Sequence, residues 1–169
     1  MNKQIKQNCS LIAVVDNNLG IGRAGDQLAY ISEDLKRFKK LTSGKCVVMG
    51  RKTFEALPKG ALPNRRNIIL SKNDSLYYPN TEIVGSVEDT FNLLKNETEF
   101  FVIGGGEIYK LFMPFASRIY LTTIYYNFEN VDTFFPSLEL ENWELVSREG
   151  IFQDQKSDLF YSFRDFLKR

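Results

Sequence analysis

Asp34 and Phe38 stand four residues apart in the stretch ISEDLKRFKKLT, which begins at Ile31. Four residues is about one helical turn, so the two side chains share a face. A carboxylate then borders an apolar stripe formed by Leu35, Phe38 and either Leu41 or Thr42. Two chemistries are open to it. One is ordinary first-turn helix chemistry, with Ser32 as N-cap and Glu33 beside it, because the dipole favours acids there. The other is a carboxylate at the edge of an apolar pocket. Desolvation would raise its pKa and the helix N-terminus would lower it, and the group could hold a proton or hydrogen-bond a polar ligand edge. Glu33 falls nearer the Lys36, Arg37 and Lys40 side.

A second set of residues suits anions. Residues 45–49, KCVVM, read as a buried strand, after which Gly50, Arg51, Lys52 and Thr53 open a helix running to about Leu57. Backbone N–H groups at a helix start bind anions, and two cations add charge, although a solvated basic turn has the same composition. Arg65 and Arg66 lead into a strand at residues 67–70 that ends at Ser71 and Lys72. Residues 99–103 form another strand and run into Gly104, Gly105 and Gly106 before a helix over 107–115. Three glycines there give either a tight connection or a close backbone approach to a ligand. Gly-Gly-Gly-Glu-Ile-Tyr lacks the last glycine of the dinucleotide fingerprint. Arg51, Lys52 and Lys72 suit a 2′-phosphate where an acid would suit a free ribose. Together these residues point to a phosphorylated dinucleotide beside a carboxylate in an apolar cleft.

The elements that position them alternate. Strands are expected at residues 9–15, 45–49, 67–70, 81–85, 99–103 and 118–126, with helices after the Asp34 stretch opens, at 87–96 and at 107–115. Two antiparallel strands at 143–149 and 158–167, joined by a polar loop around 153–157, close the chain. The fold class is α/β, a mostly parallel central sheet flanked by helices with an antiparallel C-terminal strand pair. Ligands bind outside the carboxyl ends of such strands. Residues 16–30 read as one long loop carrying Gly20, Gly22 and Gly25, with Ile21 either anchoring it or touching a flat ligand.

Composition narrows the choices. At 169 residues, one domain over 1–169 is expected, burying roughly 70% of its extended-chain surface. Hydrophobic content of 43% argues against disorder, and a net charge of +1 gives no global hint of nucleic acid or membrane. The chain has no histidine, which excludes Ser-His and Cys-His nucleophiles and histidine metal sites. No metal is expected. Cys9 and Cys46 lie in apolar runs and read as buried thiols of a reducing compartment. The apolar run at 11–15 is too short for a signal or membrane segment, so a soluble cytoplasmic protein is expected.

The motifs resemble those of dihydrofolate reductase of the bacterial chromosomal type. They are Ser10-Leu11-Ile12-Ala13, Gly20-Ile21-Gly22, Asp34-Leu35 with Phe38, Val48 to Phe54, Leu62-Pro63-Asn64-Arg65, Asn67 to Ser71, Val102 to Gly106 with Tyr109, Tyr120-Leu121-Thr122 and Asp132 to Pro136, in order and at family spacing over nearly the whole chain. The resemblance implies reduction of 7,8-dihydrofolate to tetrahydrofolate by hydride from NADPH, in a monomer. It makes Asp34 the acid that holds the pteridine's amino and ring N–H groups and promotes protonation of N5, with Thr122 on the same edge. It implies that Ile12, Ala13, Leu35, Phe38, Leu57 and Ile103 line the substrate slot. Arg65, chosen over Arg66 by the family's L-P-x-R spacing alone, would fork onto the substrate's glutamate. Arg51, Lys52, Thr53, Ser71 and Lys72 would hold the adenosine phosphates. Val14, Ile21, Gly22 and the turn of Gly104, Gly105, Gly106, Glu107, Ile108 and Tyr109 would hold the nicotinamide and pyrophosphate, with a cis peptide between Gly104 and Gly105. Many family members have Pro-Trp shortly before the catalytic helix, where this chain has Leu28-Ala29.

Two other functions compete. A related pyrimidine reductase would share the NADPH half but lack the pairing of Asp34 with Arg65. A non-catalytic nucleotide-binding module would keep the glycines and cations but have no use for Asp34, Phe38, Thr122 and Arg65 together.

Overall fold

A computed structural model describes residues 4–169; residues 1–3, which open the lysine-bearing lead, lie outside the described residues. The first half of the chain runs β1 (Lys6–Val15), β2 (Gly20–Arg23), β3 (Asp26–Gln27), α1 (Ser32–Thr42), β4 (Cys46–Gly50), α2 (Arg51–Glu55), β5 (Arg66–Leu70) and β6 (Thr81–Val84). The second half runs α3 (Val87–Leu93), β7 (Phe100–Gly104), α4 (Gly106–Phe112), β8 (Ala116–Ile124), β9 (Thr133–Phe134), β10 (Trp143–Gln153) and β11 (Phe160–Lys168). A 3-10 turn at Met113–Phe115 carries Pro114, so the proline follows α4 rather than breaking it.

The main sheet has the order β10-β11-β8-β1-β7-β4-β5-β6. β8, β1, β7, β4, β5 and β6 are mutually parallel. β11 is antiparallel to β8, and β10 to β11. The expected α/β class with an antiparallel C-terminal pair is the observed one. The inner strands are apolar on both faces because helices cover both. Alternation then sorts their side chains. Leu11, Ala13, Val48, Phe100 and Val102 join a core with Phe91 of α3 and Phe112 of α4. Val47, Met49, Ile69 and Phe101 face the other side, with Phe54 of α2.

Three expectations need correction. Residues 16–30 are not one loop: β2 and β3 pair as a hairpin, and β9 adds to β2 to make a second, three-stranded sheet. These strands are two to four residues long, too short to show a period. Ser32 is not the N-cap of α1. Ile31 occupies that position in an extended conformation, and no side chain caps the helix. Ile31 is 2% exposed, so packing, not capping, fixes the helix start. The apolar stripe of α1 is also less buried than its spacing suggests: Leu35 is 47% exposed, and Thr42 is the fully buried member. Thr42 donates to the Phe38 carbonyl at 2.8 Å, which satisfies its hydroxyl inside the helix.

Cys9 and Cys46 are free and buried, as expected, and burial pushes the Cys46 thiol up to about 11. Among the described residues, no helix is long and apolar enough to cross a membrane.

Candidate active site

The carboxyl ends of β1, β4, β5, β7 and β8 carry most of the residues singled out above. Their parallel register brings Ile12 beside Tyr120, Val14 beside Thr122, and Gly50 beside Leu70. α1 lies over this edge. Thr122 Oγ1 donates to Oδ1 of Asp34 at 2.5 Å, across 88 residues of sequence. Thr122 is itself buried. Burial raises the Asp34 pKa above the usual carboxylate value, while the Thr122 hydroxyl and the Arg37 charge pull it down. Asp34 thus lies in the first turn of α1 and is at the same time a largely buried carboxylate bonded to Thr122.

Ile12, Leu57 and Ile103 are half-buried and pack against one apolar cluster, so they form one wall. Phe38 is half-buried on the facing helix. Leu35 sits beyond it on the exposed rim. Ala13 differs from Ile12 by one step along β1, and its side chain joins the core on the opposite face. Any contact it makes with the slot falls on its main chain. Val14 packs toward Ile31, Ile124, Tyr161 and Phe163, and Ala29 packs against the same group.

The two neighbouring arginines separate clearly. Arg66 makes a forked pair with Glu82 of β6, at 2.5 and 2.8 Å. Among the described residues Arg65 makes no ion pair; its guanidinium lies 6.0 Å from the Phe38 ring, with Nη1 3.2 Å from Thr42 Oγ1. Asn67 holds the loop before β5, accepting from Leu62 N–H and donating to the carbonyls of Leu62 and Arg65, each at 2.9 Å. Arg65 is thus held by neutral partners, donating also to the Pro63 carbonyl at 2.8 Å, with no carboxylate against it among the described residues. Thr42 and Asn67, which position it, carry no signal in the sequence beyond their types.

The glycine turn lies between the slot and the second sheet. The Gly104-Gly105 peptide is cis. Thr53 Oγ1 of α2 lies 3.4 Å from where a Cβ on Gly105 would stand. A Cβ on Gly106 would come within 2.9 Å of Thr133 Cγ2 and 3.3 Å of the Phe134 carbonyl, with Ile21 Cδ1 4.0 Å away. Tyr109 is buried and donates to the Ile12 carbonyl at 2.7 Å, tying α4 to β1. Glu107 is exposed, and Ile108 packs under Gly50. On the far side, Arg51 is committed to Glu55. Lys52 and Lys72 are exposed, with Ser71 half-buried at the end of β5. This donor set of two lysines, a serine and a threonine around glycine backbone fits a phosphorylated dinucleotide.

The segment after β1 is held in place. Asp16 is buried and accepts from the N–H groups of Gly20 at 2.8 Å and Asn18 at 2.9 Å. Gly22, in β2, accepts from the N–H of Asp132 at 3.1 Å, and Asp132 Oδ2 accepts from Ala24 N–H at 2.9 Å. Those backbone donors keep the Asp132 carboxyl below the usual range.

Comparison with known proteins follows the same lines. A family model described as dihydrofolate reductase matches residues 8–168. The chain is 38% identical over 160 residues to a dihydrofolate reductase of Bacillus subtilis, covering 95% of this chain and 94% of that one. It is 43% identical over 135 residues to the enzyme of Mycobacterium leprae, covering 78% and 81%. Its structure is similar to a dihydrofolate reductase from Enterococcus faecalis complexed with NADP(H), with a TM-score of 0.88, 29% identity and 98% of each chain covered.

Proposed function

The chain belongs to the dihydrofolate reductase family, and from that premise we propose that it reduces 7,8-dihydrofolate to 5,6,7,8-tetrahydrofolate with NADPH, Asp34 serving as the acid on the pteridine side. The observation that carries the reading is the Asp34 carboxylate, held by Thr122 at the mouth of an apolar slot with a raised proton affinity.

The reaction saturates a C=N bond, so carbon receives a hydride and N5 receives a proton. NADPH supplies the hydride when bound. The protein supplies the rest. Asp34 accepts the amino and ring N–H groups of the pteridine and so fixes its orientation. With its pKa raised toward working pH, it also favours delivery of a proton to N5. Ile12, Phe38, Leu57 and Ile103 exclude water from the ring, which strengthens the Asp34 contacts. Arg65 takes the glutamate carboxylate of the substrate in a forked contact. Lys52, Ser71 and Lys72 hold the cofactor's adenosine phosphates, with Arg51 turning from Glu55 to join them. Ile21, Gly22 and the Gly104 to Tyr109 turn take its nicotinamide and pyrophosphate, beside Val14. We read the chain as one catalytic unit, monomeric and cytoplasmic.

The test is NADPH oxidation with dihydrofolate for wild type and Asp34→Asn across pH. Wild type turns over, and the variant keeps NADPH binding but loses about 10²–10⁴-fold in rate at neutral pH, the range for a general acid. That loss is about 3–5 kcal/mol of transition-state stabilisation. A variant as fast as wild type sinks the role of Asp34. Tight NADPH binding by a wild type that never oxidises it with dihydrofolate overturns the activity itself.

A further inference from the structure

Arg37 follows Asp34 by three residues on α1, so both side chains leave the same face. The sequence groups it with Lys36 and Lys40, and the structure turns it inward. Its side chain is 19% exposed, and Nη2 lies 2.7 Å from Oδ1 of Asp165, which is 15% exposed. The guanidinium stands 4.6 Å from the Phe163 ring centroid and 5.7 Å from that of Tyr120. These partners are linked to Asp34. Phe163 is the register partner of Thr122, and Asp165 that of Tyr120. Two polar contacts therefore fasten the first turns of α1 to the same strand pair, β8 and β11, one through a carboxylate and one through a guanidinium.

Packing alone does not call for an ion pair here. Apolar residues in place of both Arg37 and Asp165 would cover Phe163 and Tyr120 without desolvating two charges, and such paired replacements are often neutral or stabilising. What an arginine adds is a fixed positive charge one turn from a buried acid. Among the described residues Arg37 is the cation that acts on the proton affinity of Asp34, which burial raises and Thr122 and Arg37 lower. The other titratable groups around Asp34 are Tyr109 of α4 and Tyr161 of β11, both with raised pKa values and hence neutral. Glu33 precedes Asp34 on α1, and Asp165 and Tyr120 face Arg37 from β11 and β8.

We propose that Arg37 is a positioning residue for the reduction: clamped by Asp165 against Phe163, it seats the Asp34 carboxylate at Thr122 and sets the pH range over which that acid works. The inference rests on Asp34 being the acid of the reaction.

The experiment is kcat/KM for dihydrofolate against pH for wild type, Arg37→Met, Arg37→Lys and Asp165→Asn, with Asp34→Asn alongside and NADPH binding measured for each. Arg37→Met moves the profile to higher pH, because the charge that opposes protonation is gone, while NADPH affinity stays within about twofold. Arg37→Lys restores the wild-type position at least in part. Asp165→Asn keeps the cation and removes an opposing anion, so it moves the profile to lower pH. Opposite displacements distinguish charge from packing, since a packing defect moves both variants the same way or lowers rate at every pH equally. Superimposed profiles, or displacements of one sign, overturn the proposal. If Arg37→Met does not fold, Asp165→Asn decides: an unmoved or upward-shifted profile overturns it. Collapse of Asp34→Asn beside an unmoved Arg37→Met removes Arg37 alone, whereas an Asp34→Asn variant as fast as wild type removes the acid itself.

Discussion

Asp34 is a residue whose use and whose comfort in the fold conflict. Its folded pKa lies above the ordinary carboxylate value of 3.8, mainly through burial. The folded state therefore binds that proton more tightly than the unfolded chain does. Stability that is present below 3.8 is lost as pH rises through the folded pKa. Asp34→Asn removes the buried charge while keeping an acceptor for Thr122. Its unliganded melting temperature at pH 7 should exceed that of wild type by about 2–4 °C, corresponding to about 1 kcal/mol. The gap should close as pH falls toward 4. Melting curves at the two pH values check this. Thr122→Val acts on the same acid from the other side. It deletes the hydroxyl that favours the ionised form, so the pH profile of kcat/KM should move upward, and the KM for dihydrofolate should rise.

Between elements, the contacts that matter join the second sheet and α4. At Gly106 a side chain would meet Thr133 Cγ2 and the Phe134 carbonyl of β9. Gly106→Ala should cost about 1–3 kcal/mol by overpacking and weaken NADPH binding more than dihydrofolate binding. Separate titrations of the two ligands check it. These contacts also explain what was legible in the sequence. The buried strands show as continuous apolar runs, and the sheet they imply draws Asp34, the Arg51 to Thr53 turn, Ser71 with Lys72 and the glycine turn to one edge, whereas Thr122 is legible only through the family resemblance. β2, β3 and β9 do not show, because two to four residues carry no period and their pairing depends on partners far along the chain. The N-cap of α1 is Ile31 rather than Ser32 because tertiary packing of Ile31 overrides a good local cap. Nothing in the sequence pairs Arg37 with Asp165, because the two lie 128 residues apart.

At the scale of the molecule, the phenylalanine core and the wall formed by Ile12, Leu57 and Ile103 occupy opposite faces of one sheet. Phe91, Phe100 and Phe112 pack with centroids 5.7–6.5 Å apart on the face away from Leu57 and Phe54. Phe100 is fully buried, so Phe100→Ala should lose about 3–5 kcal/mol in denaturant unfolding while folded protein keeps near-normal kcat. The outer edge is β10, where exposed Glu144, Arg148 and Glu149 and two register shifts discourage edge-to-edge pairing. Light scattering should give a single protomer. The strand order also governs how the molecule is made. β7 lies between β1 and β4, yet it leaves the ribosome after both. β4, β5 and β6 can pair as they emerge, whereas β1, synthesised first, waits for both of its neighbours, β7 and β8. A nascent chain short of Phe100 therefore carries β1 with two open, apolar edges. That is a species prone to aggregate and suited to capture by a chaperone. Asp34, made early, gains Thr122 only when β8 is complete, so this contact forms late in synthesis.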